Sequence, residues 1–260
     1  MMNMVRCSLI FFLLSIPLTL WGAIPPRVEI PAPVVLFDEG HGQRFLVGED
    51  GPLHLSRAGA IFRHEGVTVR SEIRPLDDTV LSGVRAVVIS GPFQPILPPE
   101  VDALIRFVEG GGNLAILIHI PSPLAPLLDR LDVNFANAVI HEQQGVIGEE
   151  TTNFRVTALS PHPLFDGLTR FSLYGGWGLD SLSPATTVIA RTSEKGWLDA
   201  DGDHTLSKGD LMGRFGVVTA GTRGRGKFVV FADDAIIQNR FLDPDNERLV
   251  TNLARFLLGR

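Results

Sequence analysis

The sequence predicts an α/β protein: an open, mostly parallel sheet flanked by helices, with a β-rich portion at about residues 132–222. Three observations support this. Continuous apolar runs of strand length recur at residues 34–37, 86–89, 114–118 and 228–232, each ending on polar or acidic residues, the pattern of parallel strands buried on both faces. Between them lie stretches with apolar residues at helical spacing, such as Val101, Leu104, Ile105 and Val108. After residue 132 the pattern gives way to short strand-like segments divided by Pro and Gly turns, which read as an antiparallel extension of the sheet or as a small annex. Strands alternating with amphipathic helices build right-handed βαβ units.

The chain begins with Arg6 ahead of an apolar run over residues 7–20, then Trp21-Gly22-Ala23 and a proline-rich start. A positive flank, an apolar stretch of this length and a small residue at the cut describe a secretory signal peptide over residues 1–23. The alternative is an uncleaved membrane anchor, since the apolar stretch to Ile24 just reaches spanning length. Either way the folded part is expected to be exported, periplasmic or extracellular, with membrane contact only through this segment if it is uncleaved. Residues 24–33 hold too many prolines for a central strand and read as an extended linker. Residues 34–260 follow as the folded domain.

Within it, the strand at 34–37 precedes a helix over 53–65, with Leu55, Ala58, Ile61 and Phe62 on one face and Gly66 as its stop. A short β-branched strand at 67–69 and the apolar strand at 86–89 come next. Pro98-Pro99-Glu100 opens a helix that Gly110-Gly111-Gly112 closes, and the strand at 114–118 carries His119 at its tip. Ser122 and Pro123 suit the cap and first position of a helix with Leu124, Leu127, Leu128 and Leu131 inward. Strand-like segments at 153–159, 170–174 and 186–190 lead to a hairpin pairing 215–219 with 227–232 across a Gly-Arg turn. A helix from about Asp245 closes the chain, with Leu249, Leu253, Phe256 and Leu257 on its apolar face.

The composition, 45% hydrophobic and 20% charged over 260 residues, suffices for a sizeable core. A net charge of -6 implies no basic surface for nucleic acid, and Arg223 and Arg225 read as a solvated hairpin tip. The single cysteine, Cys7, falls inside the targeting segment. The mature domain would then have no disulfide, no thiolate metal site and no thiol nucleophile.

Parallel strands would bring Asp38, Glu39, His41, Ser90, His119, Asp233 and Asp234 to one edge, where open α/β sheets bind ligands. A carboxylate beside a histidine can orient and charge it for acid–base work. Ser90 could serve as a nucleophile with His41 or His119 as its base. The same side chains also suit structural duty, capping helices and bonding loop carbonyls.

The runs 86–92 (AVVISGP) and 113–121 (NLAILIHIP) resemble the class I glutamine amidotransferase-like fold, a flavodoxin-like architecture. The resemblance implies an oxyanion loop after the first strand and a cysteine-bearing nucleophile elbow after the second. Ser90-Gly91-Pro92 is present, but the elbow holds Ile118-His119-Ile120 without a cysteine, so the fold carries over and the thioester chemistry does not. The pieces 37–43, 111–114 leading to His119 and Pro121, 162–168 (HPLFDGL) and 226–234, with Asn246 and Asn252, resemble a bacterial family of unknown function within that fold. That family is related to GldG-like ABC-auxiliary proteins of gliding motility and to the GIFT domains of intraflagellar transport. Ile118-His119 stands where relatives read Asp-His, which removes an acid from the crevice and weakens a catalytic or metal role for His119.

A separate stretch, residues 199–210, places Asp199, Asp201, Asp203 and Asp210 at positions 1, 3, 5 and 12 of an EF-hand-type loop, with the Thr205 carbonyl at position 7. These five form a candidate calcium site, the sole cofactor expectation. His204 stands where the sharp turn wants glycine, and no helix is evident before Trp197. The alternative is a solvated acidic loop.

Two functions compete. One is a non-catalytic extracytoplasmic domain that binds a small ligand or an envelope protein, auxiliary to an envelope or ABC-type system. The other is a hydrolase acting on an envelope or extracellular substrate through the Asp38/His41 crevice. The missing nucleophile leans against an enzyme.

Overall fold

The continuous apolar run at residues 34–37 becomes β1 (Val34–Asp38). In the computed structural model, which describes residues 31–260, it is followed by α1 (Ser56–His64), β2 (Thr68–Glu72), α2 (Asp78–Leu81), β3 (Val84–Ser90), α3 (Pro98–Glu109) and β4 (Asn113–Leu117). Next come α4 (Ala125–Arg130), β5 (Val133–His141), β6 (Val146–Ile147), β7 (Glu150–Val156), β8 (Ala158–Leu159), β9 (Phe171–Tyr174) and β10 (Trp177–Ser181). The rest are β11 (Thr186–Arg191), β12 (Trp197–Leu198), β13 (Leu211–Met212), β14 (Gly216–Arg223), β15 (Gly226–Phe231) and α5 (Pro244–Leu258). The proposed targeting segment and most of the linker lie outside the described residues. Among the described residues no helix is long and apolar enough to cross a membrane.

Strands β2, β1, β3, β4 and β15 lie side by side in that order and all run parallel. α1 packs against α5 and α3 against α4, and β4 is buried at every position, as a strand covered on both faces must be. From β15 the sheet continues antiparallel through β14, β10, β5, β12 and β13, with β11 and β8 branching from β14. A second sheet pairs β6, β7 and β9.

This corrects the expected sheet. Its twelve strands make four parallel pairings and seven antiparallel ones, so it is a mixed sheet dominated by antiparallel pairs. The change comes from residues 132–222, most of whose strands extend the main sheet from the β14–β15 hairpin. β5 escaped detection because Asn134 and Asn137 break any simple alternation along it.

The helices follow the sequence closely. Two departures stand out: α2, a single turn capped by Asp77, was not expected, and residues 122–124 form a 3-10 turn ahead of α4 in which Ser122 caps nothing. Leu124, Leu127, Leu128 and Leu131 are buried as expected. At the β14–β15 turn Gly224 has φ +58, and a Cβ there would meet the Glu109 backbone at 2.6 Å, so the hairpin tip sits against the end of α3.

The asparagines of the motif pattern are structural. Asn246, fully buried in α5, accepts from the Ser172 amide at 2.9 Å and donates to the Ser172 and Phe241 carbonyls. Asn252 donates to the Leu164 and Asp166 carbonyls at 3.0 Å, which fixes the HPLFDGL segment to the same helix. Asn113 binds the Leu257 carbonyl and the Lys227 amide. Each satisfies main-chain groups that burial would otherwise leave unpaired.

Candidate functional site

Because β1, β3, β4 and β15 are parallel, the seven tip residues do gather at one edge, but they divide into separate groups. Asp38 ends β1, and the turn after it is held by the His41 carbonyl, which accepts from the Phe93 and Gln94 amides. The turn returns His41 onto Asp38, its Nδ1 2.9 and 2.8 Å from the two carboxylate oxygens. Nε2 lies 3.0 Å from Glu100 Oε1. Gln43 closes the ring, donating to Asp38 Oδ2 at 2.6 Å and accepting from the His41 amide at 2.7 Å. Burial opposes the imidazolium, but Asp38 and Glu100 outweigh it and raise the His41 pKa. For Glu100 burial again works against charge, yet the Leu76 and Leu97 amides and His41 pull its pKa down. His41 borders a cleft of about 430 Å³, but both of its ring nitrogens already hold carboxylates. A base needs a free nitrogen.

Glu39 faces away from this group. Its carboxylate accepts from the Val47 amide at 2.7 Å and from the Ser71 hydroxyl, tying the glycine-rich loop to β2. Ser90 is buried and its hydroxyl has no hydrogen-bond partner among the described residues, so no base is positioned to activate it. The Gly91 amide donates to the Leu117 carbonyl at 2.9 Å and is already spent as an oxyanion donor.

The second group lies where β4 and β15 end. His119 Nδ1 is 3.1 Å from Asp234 Oδ1, and the His119 carbonyl accepts from the Trp177 indole at 2.9 Å. Phe45 and Phe93 flank the imidazole, with ring centroids 5.6 and 4.9 Å away. The bond to Asp234 outweighs burial and raises the His119 pKa. Asp233 is buried and accepts from the Tyr174 and Ala235 amides, yet burial and the neighbouring Asp234 push its pKa up to about 8. Asp234 Oδ2 has no partner among the described residues and packs over Gly91, where a Cβ would come within 2.3 Å of it. His119, Asp233 and Asp234 line a crevice of about 250 Å³ whose other walls include Phe45, Tyr174 and Phe241. It is a small, aromatic-sided crevice with acids at its base.

In the 199–210 loop, Asp199, Asp201 and Asp203 do approach one another, their carboxylate oxygens within 4.8 Å. Asp210 is not part of that cluster and accepts from the Ala200 and Ser207 amides. Thr205 donates its amide to Asp203. A strand, β12, precedes the loop where an EF-hand has a helix.

Sequence reasoning missed Glu100 and Gln43 as partners of His41, and Phe45 and Tyr174 as crevice walls. Glu100 carried one usable signal: as the third residue of a helix it reaches back to the Leu97 amide at 3.1 Å, which fixes its carboxylate.

Solved structures share this fold. The N-terminal domain of mmIFT52 is 13% identical, with a TM-score of 0.68 over 86% of this chain and 97% of its own. The cytoplasmic protein STM1381 of Salmonella typhimurium LT2 is 16% identical, with a TM-score of 0.56 over 86% and 97%. A ThuA-like protein of Bacteroides uniformis is 15% identical, with a TM-score of 0.52 over 89% and 94%. At these identities the likeness is one of fold. No curated protein matches the sequence. Residues 55–254 match the sequence family described as a domain of unknown function, and the chain accordingly belongs to the DUF4350 family.

Proposed function

We propose that this chain is a non-catalytic binding domain that works outside the cytoplasm, and that it binds through the crevice of His119, Asp233 and Asp234. The observation that carries this reading is the double clamp on His41: Asp38 and Glu100 hold its two ring nitrogens, so the strand-tip histidine is a charged strut. The tip of β4 offers His119 in place of a thiol. The hydrolase reading through Asp38 and His41 has no free base and no activated nucleophile to work with.

The crevice has the makings of a recognition site. Three aromatic walls line the crevice around a half-exposed imidazole backed by the Asp234 carboxylate, a setting that suits a small ligand or a partner side chain bringing one hydrogen-bonding group and a flat apolar body. Export rests on the N-terminal segment. An auxiliary role in an envelope or ABC-type system rests on the motif resemblance to GldG-like proteins, which is an analogy.

Thermal-shift screening of the domain beginning at residue 24, with affinity capture from envelope extract, tests the reading. A ligand or partner retained by the native chain and lost by His119→Ala and Phe45→Ala variants is expected. Turnover of ester, phosphate or glycoside substrates that disappears in a His41→Gln variant would overturn it.

A further inference from the structure

On the antiparallel side of the sheet, β5 ends on His141 and pairs with β12 in a register that sets His141 against Trp197. The indole stacks on the imidazole, with ring centroids 4.1 Å apart and 21° between planes. Thr151 Oγ1 sits 2.7 Å from Nδ1. The other nitrogen, Nε2, is buried and has no hydrogen-bond partner among the described residues, although the side chain is only 1% exposed. A buried polar atom left in that state costs about 1–3 kcal/mol, so its surroundings call for an explanation.

Nε2 is aimed at Asp199, 3.6 Å from Oδ2. Asp199 comes one residue after β12 and accepts from the Gly202 and His204 amides, an arrangement that folds the loop back over it. His204 reaches the same place by adopting φ +60, a left-handed conformation that non-glycine residues seldom take. Its Nδ1 lies 3.9 Å from Asp199 Oδ2. Donor atoms of His141, Asp199 and His204 all fall within 4.8 Å of one another. These separations are too long for hydrogen bonds. They suit neighbouring ligands of one small ion: metal–ligand bonds of about 2.1 Å in a tetrahedron place ligand atoms about 3.4 Å apart.

We propose that His141 Nε2, the Asp199 carboxylate and His204 form a binding site for a divalent transition-metal ion of the zinc class. Two imidazoles and a carboxylate match zinc, whereas calcium wants six or more oxygens. Asp201 and Asp203, which cluster with Asp199, supply the negative field and a candidate fourth ligand. Thr151 is a positioning residue that fixes the orientation of the His141 ring, as partners of metal-binding histidines commonly do. The same His204 that spoils the EF-hand pattern completes this set. A bound ion would pin the 199–210 loop to the end of β5, independently of the His119 crevice.

Calorimetric titration of the metal-stripped domain with zinc chloride tests the proposal, with melting temperature and the visible spectrum of the cobalt(II) form as further readouts. One zinc per chain, a rise in melting temperature and a cobalt spectrum with nitrogen ligation are expected. The His204 side chain is 75% exposed, so His204→Ala should fold normally and bind zinc about tenfold or more weakly. Millimolar calcium should not displace the ion. Absence of zinc heat together with an unmoved melting temperature would overturn the proposal. So would undiminished affinity in His204→Ala. Calcium binding that fails in an Asp201→Asn/Asp203→Asn double variant but survives His204→Ala would show an oxygen-only site instead.

Discussion

His41 Nε2 lies 3.0 Å from Oε1 of Glu100, a residue 59 positions further along the chain. With Asp38 on the opposite nitrogen, this contact makes a buried cation the link between the β1 turn and the start of α3. Removing one member of such a pair strands the others. Glu100→Gln is expected to destabilise the domain by about 3 kcal/mol, read from urea unfolding. Gln43→Ala, which deletes a bond to the Asp38 carboxylate, should cost less, about 1–2 kcal/mol.

The pH dependence of this link has a defined sign. His41 is raised above its ordinary 6.5, so its contribution is complete below about pH 6.5 and is lost as the pH rises through its folded value. Glu100 is lowered from 4.5, so its contribution is present above about pH 4.5 and fades as the pH falls through its folded value. The stability advantage of the native chain over His41→Gln should therefore be greatest at about pH 5–6.5 and shrink towards pH 9. Unfolding curves of both proteins across that range measure it.

Asp233 behaves in the opposite sense to an ordinary paired carboxylate. Its pKa rises to about 8 in the folded chain, so the folded state holds a proton that the unfolded state gives up near pH 4. Stability is thus lost between about pH 4 and pH 8. Asp233→Asn cannot ionise, and its stability should fall less over that interval than that of the native chain. Melting temperatures at pH 5 and pH 8 for the two proteins check this.

Gly91 couples sterics to electrostatics. With φ +57 and Asp234 Oδ2 only 2.3 Å from where its Cβ would stand, Gly91→Ala should cost about 2–4 kcal/mol. It should also displace Asp234 from His119, and the His119 titration, followed by proton NMR, should move down towards its ordinary value.

Asn246→Ala leaves the Ser172 amide and carbonyl without their buried partner, and about 2–4 kcal/mol of stability is expected to be lost. Asn246→Asp should not restore it, since a carboxylate cannot donate to the Ser172 and Phe241 carbonyls.

What could be read from the sequence divides along physical lines. β1, β3, β4 and β15 were legible because each is a short apolar run buried on both faces, and α3 and α5 because their apolar residues recur at helical spacing. β5 and β10 were not: Asn134, Asn137 and Gly178 interrupt their patterns, and their burial comes from pairing with distant strands. That is why the extent of the antiparallel pairing stayed hidden, although the β14–β15 hairpin itself was legible. The tip residues were found as types, since Asp38, His41, His119, Asp233 and Asp234 stand at strand ends. Their partners were not, because the His41–Glu100 contact depends on how α3 docks and the His141–Asp199 approach depends on the β5–β12 register. Neither leaves a local signature.

Held on both ring nitrogens, His41 is a clamped cation and not a catalytic base. Nitrogen-15 NMR of the histidine rings across pH 5–9 reads the protonation of each nitrogen. A His41 ring with both nitrogens protonated at neutral pH, titrating above its ordinary value of 6.5, is the predicted result. A neutral ring with one unprotonated nitrogen at pH 7, titrating at or below 6.5, would contradict it.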